Sequence, residues 1–273
     1  MKEIKIYSKN ATFQKIEVLK SNRNKRYKYK EFFVEGVRNI NEAIKNQWKI
    51  SSFIYSDKSK LSNWAKNIIS STKTDENYLL RPELMNDISN KTDTSEILAI
   101  VKMKEDNFNN IHIKDNPFIV LLDRPSNKGN LGTIIRSADA LGIDGILITG
   151  HAVDIYDPDV ITSSMGSFFN VPFIRFSEHL NIYDYLNQLR TDIPSLQIIG
   201  TTSHNEININ KINFKKPTIL MIGNETVGLS QAYKEYCDQL ATIPMSPSSS
   251  ASSFNIACAT TVFFYEAIRQ RTL

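Results

Sequence analysis

Leu121-Leu122-Asp123-Arg124-Pro125-Ser126-Asn127-Lys128-Gly129-Asn130-Leu131-Gly132-Thr133-Ile134-Ile135-Arg136-Ser137-Ala138-Asp139-Ala140-Leu141-Gly142 is the stretch on which the fold turns. An apolar run over residues 118–122 meets a turn-rich segment. Beyond it Leu131, Ile134, Ile135 and Ala138 recur at the spacing of one helix face. The pattern predicts strand, loop and a helix over 131–142, with Asn130 placed to cap the first turn and Arg136 well away from the apolar stripe. Gly129 and Gly132 give Gly-x-x-Gly, without the Gly-x-Gly-x-x-Gly that lets a backbone close on a pyrophosphate, so a standard dinucleotide site is rejected.

Outward from this stretch, strands are expected at 145–149, 171–175, 196–200, 218–222 and 240–244. Helical patterns lie between them at 158–166, 179–189 and 229–238, and a last one covers 254–269. Short apolar strands divided by helices imply a parallel sheet, whose ligands bind beyond the carboxyl ends of the strands. Two more of those ends carry unusual loops. One is Ile222-Gly223-Asn224-Glu225-Thr226-Val227-Gly228-Leu229-Ser230, where glycines let backbone approach a ligand and Glu225 can accept hydrogen bonds. The other is Ile243-Pro244-Met245, a serine run over 246–253, and Phe254-Asn255 leading into the last helix.

The N-terminal part reads as a smaller α/β unit. Strands are expected at 32–34, 50–55, 78–80 and 97–103, with helices at 37–45, 61–69 and 82–88. A polar, asparagine-rich stretch over 105–116 reads as a linker. The expected division is thus 1–104, a linker at 105–116, and 117–273.

Charge separates the halves. The 273 residues carry a net +4, with 41% hydrophobic and 23% charged residues, typical of a globular protein. Residues 1–115 hold 22 Lys and Arg against 15 Asp and Glu, and the remainder 11 against 14. Arg23, Lys25, Arg26, Lys28 and Arg38, interleaved with Tyr27, Tyr29, Phe32 and Phe33, supply cations for phosphates and rings for bases, the components of RNA binding. A solvated basic helix is the plainer alternative for such a run.

Cys237 and Cys258 are too few for a disulfide framework, and four histidines without metal-ligand spacing suggest no metal site. A reducing cytoplasm fits. The longest apolar run, 257–265, is too short to span a bilayer, and no membrane association is expected.

Taken together, Asn130-x-Gly132-x-x-x-Arg136, Ile222-Gly223-Asn224-Glu225-x-x-Gly228-Leu229-Ser230 and Ile243-Pro244-Met245 with Ser253-x-Asn255 closely resemble the three motifs of the SpoU (TrmH-like) family of RNA ribose 2′-O-methyltransferases. Ser164-Met165-Gly166 is similar to the family's Ser-Met-Gly helix end. The resemblance covers 118–269 well, and 22–103 more loosely resembles an L30-type RNA-binding domain, best at Phe33-Val34-Glu35-Gly36. It implies a SPOUT fold, with a parallel sheet and a deep trefoil knot, a homodimer through the C-terminal half, and S-adenosylmethionine as cofactor. By motif, Thr201, Thr202, Ile222, Gly223, Asn224, Gly228, Ile243, Met245 and Phe254 would hold the cofactor, Phe254 standing where the family usually has leucine. Arg136, Asn130, Glu225, Ser253 and Asn255 would serve the chemistry, with Arg136 either a base or a phosphate clamp. The serine run is longer than the family's glycine-containing segment. The implied substrate is structured RNA, with 23S ribosomal RNA favoured over tRNA, and a non-catalytic RNA-binding or ribosome-assembly protein is the competing class.

Overall fold

The computed structural model describes residues 2–57, 60–89, 95–176, 181–203 and 206–272. Along the chain come β1 (Glu3–Ile6), α1 (Ala11–Ser21), α2 (Arg23–Tyr29), β2 (Glu31–Glu35), α3 (Val37–Lys45), β3 (Ile50–Ser56), α4 (Asn63–Ser71), β4 (Asn77–Leu80), α5 (Pro82–Ile88) and β5 (Ile97–Lys102). There follow β6 (Phe118–Asp123), α6 (Lys128–Ala140), β7 (Gly145–Thr149), α7 (Pro158–Ser163), β8 (Phe173–Arg175) and α8 (Ile182–Asp192). Last are β9 (Gln197–Thr201), β10 (Ile207–Asn208), β11 (Thr218–Ile222), α9 (Gln231–Tyr236), β12 (Gln239–Thr242) and α10 (Ile256–Thr272).

The chain forms two compact units. One comprises Met1–Lys104 with Asp154–Asn170, and the other Glu105–Val153 with Val171–Leu273. The first is built on a sheet of order β1-β4-β3-β5-β2, in which β5 runs antiparallel to both its neighbours. Because strand side chains alternate, adjacent phenylalanines of β2 enter different cores. Phe33 joins Phe13, Ile16, Ile54 and Leu98, while Phe32 packs with Trp48, Tyr156, Phe168 and Phe169. Both rings are fully buried, which corrects the expectation that they face bases.

The second unit contains an all-parallel sheet of order β10-β12-β9-β11-β6-β7-β8. Its central strands β6 and β11 are buried along their whole length, so each carries a continuous apolar run, over 118–122 and 219–222, rather than apolar residues at alternate positions. One face packs on α8 and α9 through Leu186, Leu189 and Tyr233. On the other, Phe118 meets Phe214 at 6.1 Å and Phe264 of α10 at 5.9 Å. The α/β class and parallel sheet expected from the sequence are present.

Several local expectations are revised. The helix after β6 begins at Lys128, and Asn127 is its cap, its Oδ1 accepting from the Asn130 amide at 2.9 Å; Asn130 therefore lies in the first turn instead of capping it. The helix at 158 stops at Ser163, because Met165 and Gly166 adopt φ of 53° and 95°. The stretch read as a linker is packed. Asp106 accepts from the Arg175 amide at 3.0 Å, and the Phe108 ring lies 4.8 Å from that of Tyr185. The start of the helix expected at 179–189 lies outside the described residues, and α8 runs from Ile182 to Asp192.

Candidate active site

Register alignment brings the ends of β6 and β11 side by side, with Leu122 opposite Ile222, and β9 flanks β11 on its other side. The loops after β6, β9, β11 and β12 therefore emerge along one carboxyl edge. Asp123 terminates β6 as a buried carboxylate. It accepts both guanidinium arms of Arg124 at 2.8 Å and the Ser230 amide at 2.9 Å. Arg124 itself reaches Gly228 O at 3.4 Å, and its carbonyl accepts from Asn224 Nδ2 at 2.7 Å. The two neighbouring residues thus clamp the loop after β11 from both of its ends.

That loop is narrow. Asn224 and Gly228 exchange backbone hydrogen bonds of 3.1 and 3.0 Å, and Asn224 Oδ1 accepts from the amides of Thr226 and Val227. A Cβ on Gly223 would stand 2.0 Å from the Leu229 amide nitrogen, so backbone packs on backbone where a side chain has no room.

The loop presents Glu225 to the start of α6. Its carboxylate accepts from the amides of Ser126 at 3.0 Å and Asn127 at 3.1 Å, from the Ser126 hydroxyl, and from Asn130 Nδ2 at 3.5 Å. Burial acts to raise the Glu225 pKa. The hydrogen bonds from Ser126 and the backbone amides outweigh it and hold the group below its ordinary value. Asn130 Oδ1 in turn accepts from Asn255 Nδ2 at 3.1 Å, while Asn255 Oδ1 caps α10 through the amides of Ala257 and Cys258. Glu225, Asn130 and Asn255 form one continuous chain of hydrogen bonds. Arg136 stands outside it, exposed on α6, and Ser253 belongs to the cavity beside it.

The cavity measures about 210 Å³. Thr201 and Thr202 come to it from the end of β9, Ile222, Gly223, Asn224 and Gly228 from β11 and its loop, and Ile243, Met245 and Phe254 from the stretch after β12. All nine residues named for a cofactor from the sequence thus line one space, together with Glu225 and Ser253. Leu229, Ile256 and Phe263 add apolar wall, and Ser203 and Thr242, which the motifs did not single out, add hydroxyls. Among the described lining residues the charged side chain is the carboxylate of Glu225, with no Lys or Arg. This donor set suits a ligand with an apolar nucleoside body and positive charge. It does not suit a pyrophosphate, which calls for cations or a glycine-rich helix start. S-Adenosylmethionine, an adenosine bearing a sulfonium, fits these residues. Among the described residues no group of three or more His, Cys, Asp or Glu is positioned to hold a metal ion.

In the first unit the basic residues divide. Arg23, Lys28 and Arg38 are exposed and Lys25 is half-buried. Arg26 is corrected: it is 1% exposed, with Nε 2.7 Å from Asp154 Oδ2, Nη2 3.3 Å from Asp157 Oδ2, and Nη1 on the carbonyls of Leu19 and Lys20. Its donors are taken up within the fold, so it is no phosphate ligand. Of the clamp residues, Asp123 and Arg124 were missed as contributors, although a carboxylate closing an otherwise apolar strand is a visible signal.

Comparison with known proteins agrees with this geometry. Residues 117–265 match the SpoU rRNA Methylase family, and residues 10–99 match the SpoU L30e-like domain. A 23S rRNA (uridine(2479)-2′-O)-methyltransferase of Streptomyces viridochromogenes is 40% identical over 268 residues, covering 98% of this chain and 92% of that protein. The crystal structure of the SpoU methyltransferase AviRb from Streptomyces viridochromogenes in complex with AdoMet superposes with a TM-score of 0.90 at 39% identity, over 96% of this chain and 98% of that one. An AdoMet-bound rRNA methyltransferase from Sinorhizobium meliloti gives 0.85 at 26% identity, over 98% of both chains. With matched domains, matched length and a cavity built from the motif loops, the chain belongs to the SpoU rRNA methylase family.

Proposed function

We propose that this protein methylates a ribose 2′-hydroxyl of 23S ribosomal RNA, using S-adenosylmethionine. The observation that carries the reading is the cation-free cavity of motif residues joined, through Glu225, to the Asn130–Asn255 hydrogen-bond chain. S-Adenosylmethionine, when bound, supplies an activated methyl group on its sulfonium.

The residues then have to orient the hydroxyl and lower the cost of removing its proton. Glu225 ties the loop after β11 to the start of α6, so the cavity wall and the helix bearing Arg136 hold a fixed relation. Asn130 and Asn255 present amide groups to the ribose edge, with Ser253 beside them. A guanidinium stays protonated in proteins, which favours Arg136 as the group that holds the neighbouring phosphate and stabilises the developing alkoxide over a role as base. The hydroxyl proton passes to solvent at this open edge.

The surrounding organisation follows the same reading. Residues 1–104 form the RNA-reading part, with Arg23, Lys25, Lys28 and Arg38 on phosphates, and residues 117–273 form the methyltransferase part. The stretch after β12 threads past the loop after β11 as a trefoil knot. Two chains pair through α10, whose Val262 and Tyr265 are exposed. The enzyme works in the cytoplasm, where ribosomes are assembled.

The test combines labelled S-adenosylmethionine with ribosomal RNA lacking the modification and maps the product as one ribose linkage protected from alkaline hydrolysis. Arg136→Ala is expected to lose turnover on the order of a hundredfold, by analogy with loss of an oxyanion donor, with cofactor affinity within a few-fold of the parent. Arg136→Lys keeps charge without the planar fork, so its rescue measures how much of the role is a simple clamp. A parent protein that neither binds the cofactor nor protects any linkage overturns the reading.

A further inference from the structure

The second unit bears a cationic surface at the end of its sheet opposite the cavity. Of the eleven Lys and Arg after residue 115, five fall in two short stretches, Lys211, Lys215 and Lys216 before β11 and Arg269 and Arg271 at the end of α10. A shallow groove gathers Asn210, Lys211, Lys215, Arg269 and Gln270. Elsewhere this half of the chain is acidic, so the grouping is a local reversal of its charge.

The loop that carries the lysines is held in place. Gln270 accepts from the Phe214 amide at 2.9 Å and donates to Ile212 O at 3.0 Å. Arg271 is spent on the carbonyls of Phe214 and Lys216, each at 2.8 Å, and Arg269 is paired with Glu266 at 2.8 Å. The three lysines are exposed, and among the described residues no carboxylate pairs with them. They therefore stand as solvated charges on an ordered support, so that binding an anion would not first have to order the loop.

Two elements connect this surface to the cavity. From Thr218 to Ile222 β11 spans about 13 Å, and from Ile256 to Arg269 α10 rises about 20 Å. Those lengths correspond to roughly four to six steps of a stacked strand at ~3.4 Å each.

We propose that Lys211, Lys215 and Lys216 form a second contact for the RNA backbone, gripping phosphates flanking the methylated nucleotide on the methyltransferase unit itself. The proposal rests on the function given above for its partner, and charge complementarity selects RNA. The contact is sequence-independent and acts on affinity, far from the reacting atoms.

The triple variant Lys211→Gln, Lys215→Gln, Lys216→Gln tests it in the full-length protein. Binding of a 23S ribosomal RNA fragment is followed by filter retention across a salt series, alongside cofactor titration and methylation kinetics. Each lost phosphate contact should reduce the log–log salt slope by about 0.7–0.9, so a fall of about two is expected. KM for RNA should rise at least tenfold, with kcat at saturating RNA and cofactor affinity unchanged. An unchanged slope and KM, in a parent that methylates the RNA, overturns this contact alone. A parent that binds no ribosomal RNA overturns both the contact and the proposed function.

Discussion

Glu225 illustrates how a single carboxylate can tie together the loops that build a site. Its pKa lies below the ordinary 4.5, so the stabilisation from its ties to Ser126 and Asn127 is complete above that value and is lost only as pH falls through the depressed one. Cofactor affinity should therefore be flat from pH 8 to 5 in calorimetry. A decline within that range would count against Glu225 as the tie. Glu225→Gln keeps the shape but forfeits charge-assisted bonds, and should weaken cofactor binding about tenfold or more. Arg26 makes a different prediction. Arg26→Ala leaves Asp154 and Asp157 buried without their cation, which should cost about 3–5 kcal/mol of stability in urea unfolding, whereas Arg23→Ala should leave the midpoint unchanged. A matching loss of RNA affinity with no loss of stability would return Arg26 to the phosphate-binding set. The sequence shows a run of five cations and rings but not which are spent internally, because the partners of Arg26 lie 128 and 131 residues further on. Glu225 was legible for the opposite reason, since its motif glycines mark a loop of fixed shape.

Among the elements, α10 has a face that the single chain leaves open. Cys258, Val262 and Tyr265 recur at helical spacing and are exposed, Val262 by 41% and Tyr265 by 60%, while Ala257, Thr260, Phe263, Phe264 and Ala267 are buried. The proposed dimer covers this face. Val262→Asp with Tyr265→Asp should give a monomer by light scattering at micromolar concentration while thermal stability of the isolated chain is retained, because neither side chain fills its core. A variant that stays dimeric would move the interface elsewhere. The apolar face of α10 was readable from composition, as were β7 and β11, where every position is buried and the apolar run is continuous. β1 and β10 were not. In β1 the sequence Glu-Ile-Lys-Ile buries only Ile6, and β10 is two residues long, so neither carries enough alternation to register. The start of α6 was displaced because periodicity fixes the phase of a helix and not its first residue, and Asn127 and Asn130 are equally good caps by type.

At the scale of the molecule, the first compact unit draws on two separate stretches of chain, and the second of these, Asp154–Asn170, lies within the matched methylase segment. Periodicity across 154–170 reports apolar residues without naming their partners, which is why a cut at the linker looked natural. Tyr156 and Phe168 are fully buried, packed against Phe32 at 4.8 and 5.7 Å, and Trp48 donates to Phe169 O at 2.9 Å. Deleting residues 1–104 removes Phe32, Trp48 and Arg26 together. Each large aromatic stripped of its packing is worth about 3–5 kcal/mol by truncation, a sum comparable with the whole stability of a domain. The fragment 105–273 should therefore bind a hydrophobic dye and aggregate at micromolar concentration, and its failure to methylate RNA would say nothing about which residues read the substrate. The clean separation of roles is made in the full chain, where Arg23→Ala, Lys28→Ala and Arg38→Ala change exposed side chains only. That variant should unfold at the parental urea midpoint and bind the cofactor as the parent does, yet lose RNA affinity with a shallower salt dependence. If the fragment instead proves monodisperse, dye-silent and cooperative in unfolding, then residues 154–170 hold their conformation without Phe32 and Trp48, and the linker boundary is the true limit of the methyltransferase part.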